Sequence, residues 1–420
     1  MQNTLISLLL CSSLFLLSDA SAQSLRRHYA TQKVNRQLLS QVTEHASAQR
    51  KVRQFLASYQ QRTSFEIKTI PVIFHVVHHE TQERISEAQI YSQIEALNRD
   101  FSQAIRSIGH PAEQYEGFNR KQADDTYIRF CLADVPNNIH YVSSNVQEWT
   151  SDHAIKYAAN GGADVVTPEN YLNVWIGKFD QWTSGYAQFP LGPIATDGIA
   201  IDYRFFGTIG TALAPYDEGK SLSHLVANYL GVPDIWSDQK DCGDDYIYDT
   251  PIHNSPNYGC PPYKHVSTCG NLPVEMSMNL MDNTDDACQY QFTYGQRLIM
   301  TAVLSEKGMR HGLLIGESQC GETATETTLE GRKPTEPIAL DVPKLQLQPN
   351  PVNQNLQITA SHPIERIEIY SLLGKQIHVQ TGIQVTQLQL EVSEWLEGSY
   401  VLRAEIKGEI ISQQFVISHL

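Results

Sequence analysis

The residues best suited to chemistry lie in one stretch, Gly219 to Asp238, which reads GKSLSHLVANYLGVPDIWSD. His224 and Asn228 are four residues apart, so a helix places both side chains on one face. Gly231 is typical of a residue that ends a helix, and Asp234 follows shortly after it. An imidazole, an amide and a carboxylate therefore occur within one short stretch.

A buried helix has to position this group. Apolar and aromatic side chains recur at helical spacing through the same stretch, which predicts one buried face. They are Leu222, Leu225, Val226 and Tyr229.

Strands and a helix alternate along the chain before this stretch. Residues 70–77 (IPVIFHVV) are β-branched and aromatic, which predicts a buried strand. Ser86 begins a capping box with Gln89, and apolar residues then repeat at helical spacing, which predicts a helix over 86–103. Three further strands are predicted over 126–133, 172–179 and 198–205. This interleaving indicates a mixed α/β (α+β) domain.

The charge of the chain argues against nucleic acid as a partner. The 420 residues contain 31 Lys and Arg against 46 Asp and Glu, a formal charge of −15, whereas nucleic-acid binding requires a basic face. Residues 23–68 are the exception, with nine Lys or Arg and two Glu. A basic leader before an acidic body suits a pro-segment held partly by charge, and a solvated N-terminal arm is the alternative.

The first residues have the features of an export signal. Residues 5–17 (LISLLLCSSLFLL) form an apolar run too short to span a bilayer, and a small-x-small triplet follows at 20–22. This pattern predicts a signal peptide over 1–22, cleaved after Ala22. A lipoprotein anchor at Cys11 is the alternative, although Leu10 is too bulky for the usual lipidation motif. No other apolar run is long enough to predict a transmembrane segment.

Six cysteines remain after that cleavage. An even number in an exported chain favours disulfide bonds, and buried free thiols are the alternative. Six cysteines allow about 15 pairings, so spacing alone selects none of them. They are Cys131, Cys242, Cys260, Cys269, Cys288 and Cys320.

Several ordered motifs across residues 69–320 resemble one family. The stretch around His224 resembles the metzincin zinc motif H-E-x-x-H-x-x-G-x-x-H. More narrowly, the region is similar to the pappalysin-type zinc metallopeptidases. The motifs that carry this resemblance are YAQFPLGP at 186–193, GTIGT at 207–211, DTP at 249–251 and the Met-turn NLMDNTDDAC at 279–288. The resemblance implies a catalytic-type domain with a mixed sheet and an active-site helix over 69–320.

The chemistry-bearing positions depart from the family pattern. The resemblance places the zinc ligands at His224, Asn228 and Asp234, of which only the first is a histidine as in the family. It places the general base at Leu225, which cannot accept a proton. Met281 of the Met-turn is present, but the Tyr that supports the oxyanion in the family is replaced by Asn283. These replacements predict weak zinc binding or none, and no intact catalytic residue.

The resemblance also implies two structural features near the site. Family members tie their cleft loops with disulfides, which implies the pairs Cys242–Cys269 and Cys260–Cys288, and leaves Cys131–Cys320. They bind calcium in a loop that corresponds to Asp245 and Thr250 here, and oxygen ligands suit that ion. A solvated acidic loop is the alternative to structural calcium.

The chain changes character after residue 320. Residues 321–343 are rich in Thr, Glu and Pro and are predicted to be a linker. Short alternating segments over 344–420 predict a small all-β sandwich. The motifs PNP at 349–351 and IEIYSLLG at 367–374 resemble the type A sorting domain of the type IX secretion system. This resemblance implies the secretion machinery as a partner, export to the medium or cell surface, and a Bacteroidetes-type organism. A carbohydrate-binding sandwich is the alternative.

Three functions remain to be separated. The leading hypothesis is a secreted pseudo-peptidase that retains a cleft for a peptide or protein ligand. The second is an active zinc-dependent metalloendopeptidase with an atypical site. The third is a surface adhesion or scaffold protein. Chelator-sensitive digestion of casein would favour the second hypothesis over the other two.

Overall fold

The structure of the chain is a computed structural model. It describes residues 26–41, 55, 66–102, 123, 125–236, 242–247, 249–262, 264–270, 273–314, 320, 345–371, 376–407 and 409–418. The predicted signal peptide, the lipidation alternative at Cys11 and the linker 321–343 lie outside these residues.

A six-stranded sheet forms the centre of the first domain. Its strands are β1 (Lys68–His78), β2 (Ile128–Leu132), β3 (Ile139–Ser143), β4 (Leu172–Gly177), β5 (Gly185–Ala187) and β6 (Ile199–Asp202). The spatial order is β2-β1-β4-β6-β5, and β3 pairs with the second half of β1. All pairs are parallel except β5 with β6. The sheet is mixed, which confirms the predicted fold class.

Buried apolar residues fill both faces of this sheet. The side chains of β1 from Ile70 to Val76 are inaccessible to solvent, as expected for a parallel strand covered on both sides. The α-helices whose bounds the structure describes are α1 (Thr31–Gln41), α2 (Glu87–Phe101), α3 (Lys220–Tyr229) and α4 (Tyr294–Val303). Helix α3 packs against α2 and the strands β5 and β6. No helix among the residues that the structure describes is long and apolar enough to cross a membrane.

Several predicted boundaries differ from the structure. The predicted strand over 198–205 ends at Asp202, because the Asp202 carboxylate accepts a hydrogen bond from Arg204 N at 2.8 Å and starts a 3-10 turn. The predicted strands over 126–133 and 172–179 are shorter at their ends. Ser86 caps α2 as predicted, but the capping box is incomplete, since the Gln89 amide donates to Phe206 O at 2.8 Å.

The C-terminal region is a small all-β unit. Its strands are β7 (Leu345–Gln348), β8 (Asn355–Ser371), β9 (Gln376–Glu391), β10 (Gly398–Ile406) and β11 (Glu409–Ile417). Two of the short segments predicted over 344–420, residues 356–360 and 364–370, are halves of one strand, β8. This strand pairs with β7 along its first half, with β10 along its second half and with β9 along both. All five strands therefore belong to one antiparallel sheet.

Three disulfide bonds are present in the first domain. They join Cys242 to Cys269, Cys260 to Cys288 and Cys131 to Cys320. The first two are the pairs that the family resemblance implies, and the third is the pair that those two leave. The first two close loops beside the Met-turn, and the third joins β2 to the end of the domain.

Candidate functional site

Helix α3 ends in a tight turn that folds the chain back toward the helix. Gly231 has a φ of 91°, a conformation that glycine adopts without strain. Its N–H donates to Asn228 O at 2.8 Å, and Val232 N donates to Ala227 O at 2.9 Å. This closing pattern satisfies the last carbonyls of the helix and brings Asp234 back to its side.

The three side chains at the predicted metal positions do converge, but they form hydrogen bonds with one another. His224 Nε2 lies 2.9 Å from Asp234 Oδ1, and Asn228 Nδ2 donates to the same oxygen at 3.0 Å. Asn228 Nδ2 also donates to Val232 O at 3.0 Å. His224 and Asn228 are fully buried and Asp234 nearly so. The site is therefore a closed polar group inside the protein.

Two hydrogens are needed to satisfy the ring of His224. Its Nδ1 lies 2.9 Å from Leu280 O, which can only accept, and its Nε2 faces the Asp234 carboxyl group. One hydrogen is therefore on Nδ1, and the second lies between Nε2 and Asp234 Oδ1. Burial lowers the pKa of His224, and the hydrogen bond with Asp234 opposes that effect.

This arrangement does not fit a catalytic zinc ion. Such a site requires three protein lone pairs directed at one point and an open position for water. Asn228 directs its Nδ2 donor at the shared carboxylate, and reversing the amide would place its oxygen against two other oxygens. Its own Oδ1 has no hydrogen-bond partner among the described residues. Of the three side chains only His224 offers an imidazole, and its Nε2 is hydrogen-bonded to Asp234.

The positions for the general base and the oxyanion residue are also buried. Leu225 is inaccessible to solvent and packs against β5, where a Cβ built on Gly185 would lie 2.7 Å from Leu225 Cδ1. Asn283 is buried, and its Oδ1 lacks a hydrogen-bond partner among the residues described. Met281 lies in the hydrophobic core. None of the three presents a group that could activate water.

The chain's own N-terminal segment lies along this site. We call Arg26–Gln41 the docked segment. Its backbone pairs in parallel with β5, because Ser184 N donates to His28 O at 2.8 Å and Ala30 N donates to Gly185 O at 2.9 Å. A strand edge that would otherwise be unpaired is thereby used.

Tyr29 of the docked segment covers the remaining imidazole. Its ring stacks on that of His224 with centroids 4.0 Å apart and an angle of 28° between the planes. The Tyr29 hydroxyl donates to Ser221 O at 3.4 Å. An aromatic side chain therefore lies on His224.

Arg27 inserts into a fully buried acidic pocket next to the helix. Its Nη1 forms an ion pair with Asp286 Oδ1 at 2.7 Å and donates to Ser221 Oγ at 3.2 Å. Its Nη2 donates to Gln289 Oε1 at 3.0 Å and to the carbonyl of Thr284. Neither Arg27 nor Asp286 is exposed to solvent. The guanidinium is thus recognised by charge and by several directed hydrogen bonds.

The rest of the docked segment is part of the fold. Val34 and Leu38 of α1 are buried in a cluster with Trp175 and Tyr186. Asn35 donates to Ala187 O at 3.0 Å. The sequence contains a basic leader that an acidic body could hold, but nothing in the sequence indicates that Arg27 and Tyr29 make the contacts.

The predicted calcium loop contains a buried carboxylate, Asp245. Asp245 Oδ1 accepts from Thr250 Oγ1 at 2.6 Å and from Ile247 N at 3.0 Å. Its Oδ2 is buried and finds no hydrogen-bond partner in the described part of the chain. Burial raises the pKa of Asp245 to about 8, and the nearby Asp249 contributes. A hard cation with oxygen ligands fits this loop.

Known structures and proteins resemble the chain over this domain. Mirolysin in complex with compound 9 is 34% identical, with a TM-score of 0.55 over 60% of this chain and 97% of that one. A promirolysin mutant of Tannerella forsythia is 30% identical, with a TM-score of 0.62 over 69% and 97%. An extracellular metalloprotease of Arthroderma benhamiae is 27% identical over 240 residues, 54% of this chain and 69% of the relative. Extracellular metalloprotease 1 of Coccidioides posadasii is 27% identical over 246 residues, 56% and 76%.

The C-terminal unit matches a family of its own. Residues 346–418 match the secretion system C-terminal sorting domain. Fold and sequence together define a secreted or cell-surface protein of metallopeptidase type. The chain belongs to the metzincin-like metallopeptidase family of mirolysin and carries a type IX secretion sorting domain.

Proposed function

We propose that this protein is an exported pseudo-peptidase, which binds a peptide segment in the cleft of a metallopeptidase fold without hydrolysing it. The observation that supports this most directly is the bonding at the former metal positions. His224 and Asn228 both bond to Asp234 within a closed polar group, and Leu225 occupies the position of the base. No residue at the base position can accept a proton from water. The three residues at the metal positions do not suit the metal ion that would activate that water.

The expected effect on catalysis is large. A positioned acid–base group typically contributes about 10²–10⁴ in rate. Activation of water by a metal is lost in addition, because that activation depends on a full ligand set. Both the base and the metal act on the attack of water. Restoring only the base, or only the metal, would therefore leave that step without the other contribution.

Peptide binding is the function that the cleft can still perform. The docked segment demonstrates the three kinds of contact available there: backbone pairing with β5, an acidic pocket for Arg27 and a stacking surface for Tyr29. A ligand that offers an extended backbone, an arginine and an aromatic ring two residues later would use all of them.

The docked segment is the counterpart of a pro-segment in this proposal. The promirolysin mutant aligns with 69% of this chain, whereas mature mirolysin in complex with a cleaved peptide aligns with 60%. The longer alignment of the pro form supports such a counterpart. In this chain the docked segment occupies the cleft as an intramolecular ligand. It is part of the basic leader, residues 23–68.

An active metalloendopeptidase with an atypical site is the alternative. The names of the fungal relatives, which are extracellular metalloproteases, favour it. This alternative requires zinc to displace the hydrogen bonds among His224, Asn228 and Asp234. It also requires another group to act as the general base.

A peptide added in trans tests the proposal. The probe is a fluorescent peptide of residues 23–41, and the protein is the full chain in two forms, wild type and Arg27→Ala. We expect the variant, whose own segment is weakened, to bind the peptide while the wild type binds much less. A matched peptide with Ala at the Arg27 position serves as the control and should not bind.

Mass spectrometry of the peptide after incubation separates the two functions. Recovery of intact peptide from the Arg27→Ala complex agrees with a pseudo-peptidase. Chelator-sensitive cleavage would establish the alternative, and equal binding of both peptides would contradict the role of the arginine pocket.

We also propose a structural calcium ion at Asp245 and Thr250. Asp245 Oδ2 is buried and has no hydrogen-bond partner among the residues with a described structure, which supports this, because a divalent cation would compensate the charge of the carboxylate. Calcium here would stabilise the loop that Cys242–Cys269 closes, independently of any catalysis.

A further inference from the structure

Two aromatic side chains lie beside the first described residues of the docked segment. Trp182 belongs to the turn before β5, and Tyr258 belongs to the loop that the disulfide Cys242–Cys269 closes. The ring of His28 contacts both, since its centroid lies 6.4 Å from that of Trp182 and 6.2 Å from that of Tyr258. We call Trp182 and Tyr258 the aromatic pair.

The backbone of His28 is fixed next to Trp182. His28 N donates to Ser184 Oγ at 2.9 Å, and Ser184 N donates to His28 O at 2.8 Å. Trp182 is itself held in its turn, because its backbone N–H donates to Asp180 Oδ1 at 3.1 Å. A ligand that pairs with this strand edge as the docked segment does would therefore place one of its own side chains beside Trp182.

Tyr258 is held by the residues on both sides of it. Asn257 N donates to Asp282 Oδ1 at 2.9 Å, and Asp285 N donates to Gly259 O at 2.9 Å. Both hydrogen bonds join this loop to the Met-turn. The two members of the aromatic pair are therefore attached to different parts of the domain, and the side chain at the position of His28 contacts both of them.

The imidazole makes only loose contacts with the aromatic pair. Centroids of interacting aromatic rings lie about 4.5–7 Å apart, and both distances to His28 lie in the upper part of that range. Trp182 remains 68% exposed although His28 lies beside it. A larger planar ring at the same position would cover more of the exposed indole and would contact Tyr258 over a larger area.

The charges near this position favour a neutral ring over a second cation. Burial lowers the pKa of His28, and the positive charge of Arg26 lowers it further, so the imidazole is neutral at neutral pH. The guanidinium of Arg26 already lies over Tyr258, 5.3 Å from its centroid. A cation at the position of His28 would be repelled by Arg26, whereas a neutral aromatic ring would not be.

We propose that the aromatic pair is a specificity-determining subsite, which selects a peptide ligand with an aromatic side chain at the position of His28. The inference rests on the proposed function, because it describes the peptide that the cleft binds. Together with the acidic pocket for Arg27 and the stacking surface for Tyr29, the aromatic pair favours an arginine followed by two successive aromatic residues.

Peptide binding to the full chain that carries Arg27→Ala tests the subsite. The probes are three fluorescent peptides of residues 23–41: the parent peptide, its His28→Trp form and its His28→Ala form. One aromatic contact changes an equilibrium constant by about 2–12-fold, and the ring at this position makes two. We therefore expect the His28→Trp peptide to bind about tenfold more tightly than the His28→Ala peptide, with the parent between them.

Variants of the protein attribute this difference to the aromatic pair. Adding Trp182→Ala and Tyr258→Ala should bring the ratio of the two dissociation constants close to one, and Trp182→Ala alone replaces the combination if that protein fails to fold. A general weakening of the cleft does not alter this ratio. Tyr91→Ala, which removes an exposed aromatic side chain of α2, is the matched control and should leave the ratio unchanged. Equal binding of all three peptides would refute the subsite while still supporting the proposed function.

The docked segment itself separates failure of the subsite from failure of the proposed function. If none of the peptides binds, the proposed function fails, and the melting temperature of the full chain decides whether the aromatic pair recognises the side chain at the position of His28. His28→Trp should melt at a higher temperature than His28→Ala, and adding Trp182→Ala and Tyr258→Ala should remove the difference. Equal melting temperatures of the two His28 variants would overturn the aromatic pair as a recognition element.

Discussion

Replacing Arg27 with methionine should destabilise the protein far more than the same replacement at the neighbouring Arg26. Arg27 is fully buried and ion-paired with Asp286, whereas Arg26 is exposed. Methionine keeps much of the aliphatic length of arginine, so the loss is mainly that of the charge and its hydrogen bonds. Asp286 would then be a buried carboxylate without its cation.

The magnitude follows from that unpaired charge. Removing one partner of a buried ion pair costs about 3–5 kcal/mol. Asp286 Oδ2 still accepts from Glu218 N at 2.9 Å, which compensates part of the charge. We therefore expect about 3 kcal/mol, equivalent to about a hundredfold change in the unfolding equilibrium. Arg26→Met should change the free energy of unfolding by less than about 0.5 kcal/mol, as is usual for surface positions.

Urea unfolding of the full chain, followed by tryptophan fluorescence, measures both variants. The double variant Arg27→Met/Asp286→Asn completes a cycle, and removing both charges should cost less than the sum of the single changes. If Arg27→Met and Arg26→Met prove equally mild, Arg27 is not buried against Asp286 and the docked segment is not part of the folded protein.

Further predictions concern the same molecule. Tyr29→Ala should lower the free energy of unfolding by more than about 1 kcal/mol, because the stacked pair with His224 is lost, whereas Tyr29→Phe should lower it less; equal losses in urea would contradict the stacking role. Asp245, whose pKa is raised to about 8, should favour the folded state in acid and lose that contribution as the pH rises through 8. Calcium added at pH 8 should raise the melting temperature of the wild type but not that of Asp245→Asn, and an equal rise in both would refute calcium there. Burial lowers the pKa of Lys156 to about 7, so the unfolded chain binds more protons between pH 7 and about 10 and stability should rise with pH. The stability of the Lys156→Met variant, measured by calorimetry over the same pH range, should not show that rise.

The sequence specified the central elements because their patterns are local. The apolar run of β1, the helical spacing of α3 and the stop at Gly231 each depend on a few neighbouring residues. The spacing placed only His224 and Asn228 on one face, and Asp234 was added to them by the family resemblance. The hydrogen bonds that join these three side chains are evident only in the structure.

The features that the sequence did not reveal depend on distant residues. Arg27 and Asp286 are separated by 259 positions in the chain, so nothing near either residue indicates the other. The same holds for Asn257 and Asp282, which are hydrogen-bonded although 25 positions separate them. Strand β8 was divided into two predicted segments because its polar middle, around His362, is typical of a turn; the pairing with β9 on either side of it overrides that local preference.

The absence of hydrolysis is the central claim, and metal content measured together with proteolysis tests it most directly. Full-length wild type and Arg27→Ala, the second chosen to open the cleft, are incubated with zinc and calcium, desalted, analysed by mass spectrometry for bound zinc, and assayed on casein with and without a chelator. The account predicts zinc far below one ion per chain and no chelator-sensitive cleavage by either form. One tightly held zinc per chain, with casein cleavage that His224→Ala abolishes, would contradict it.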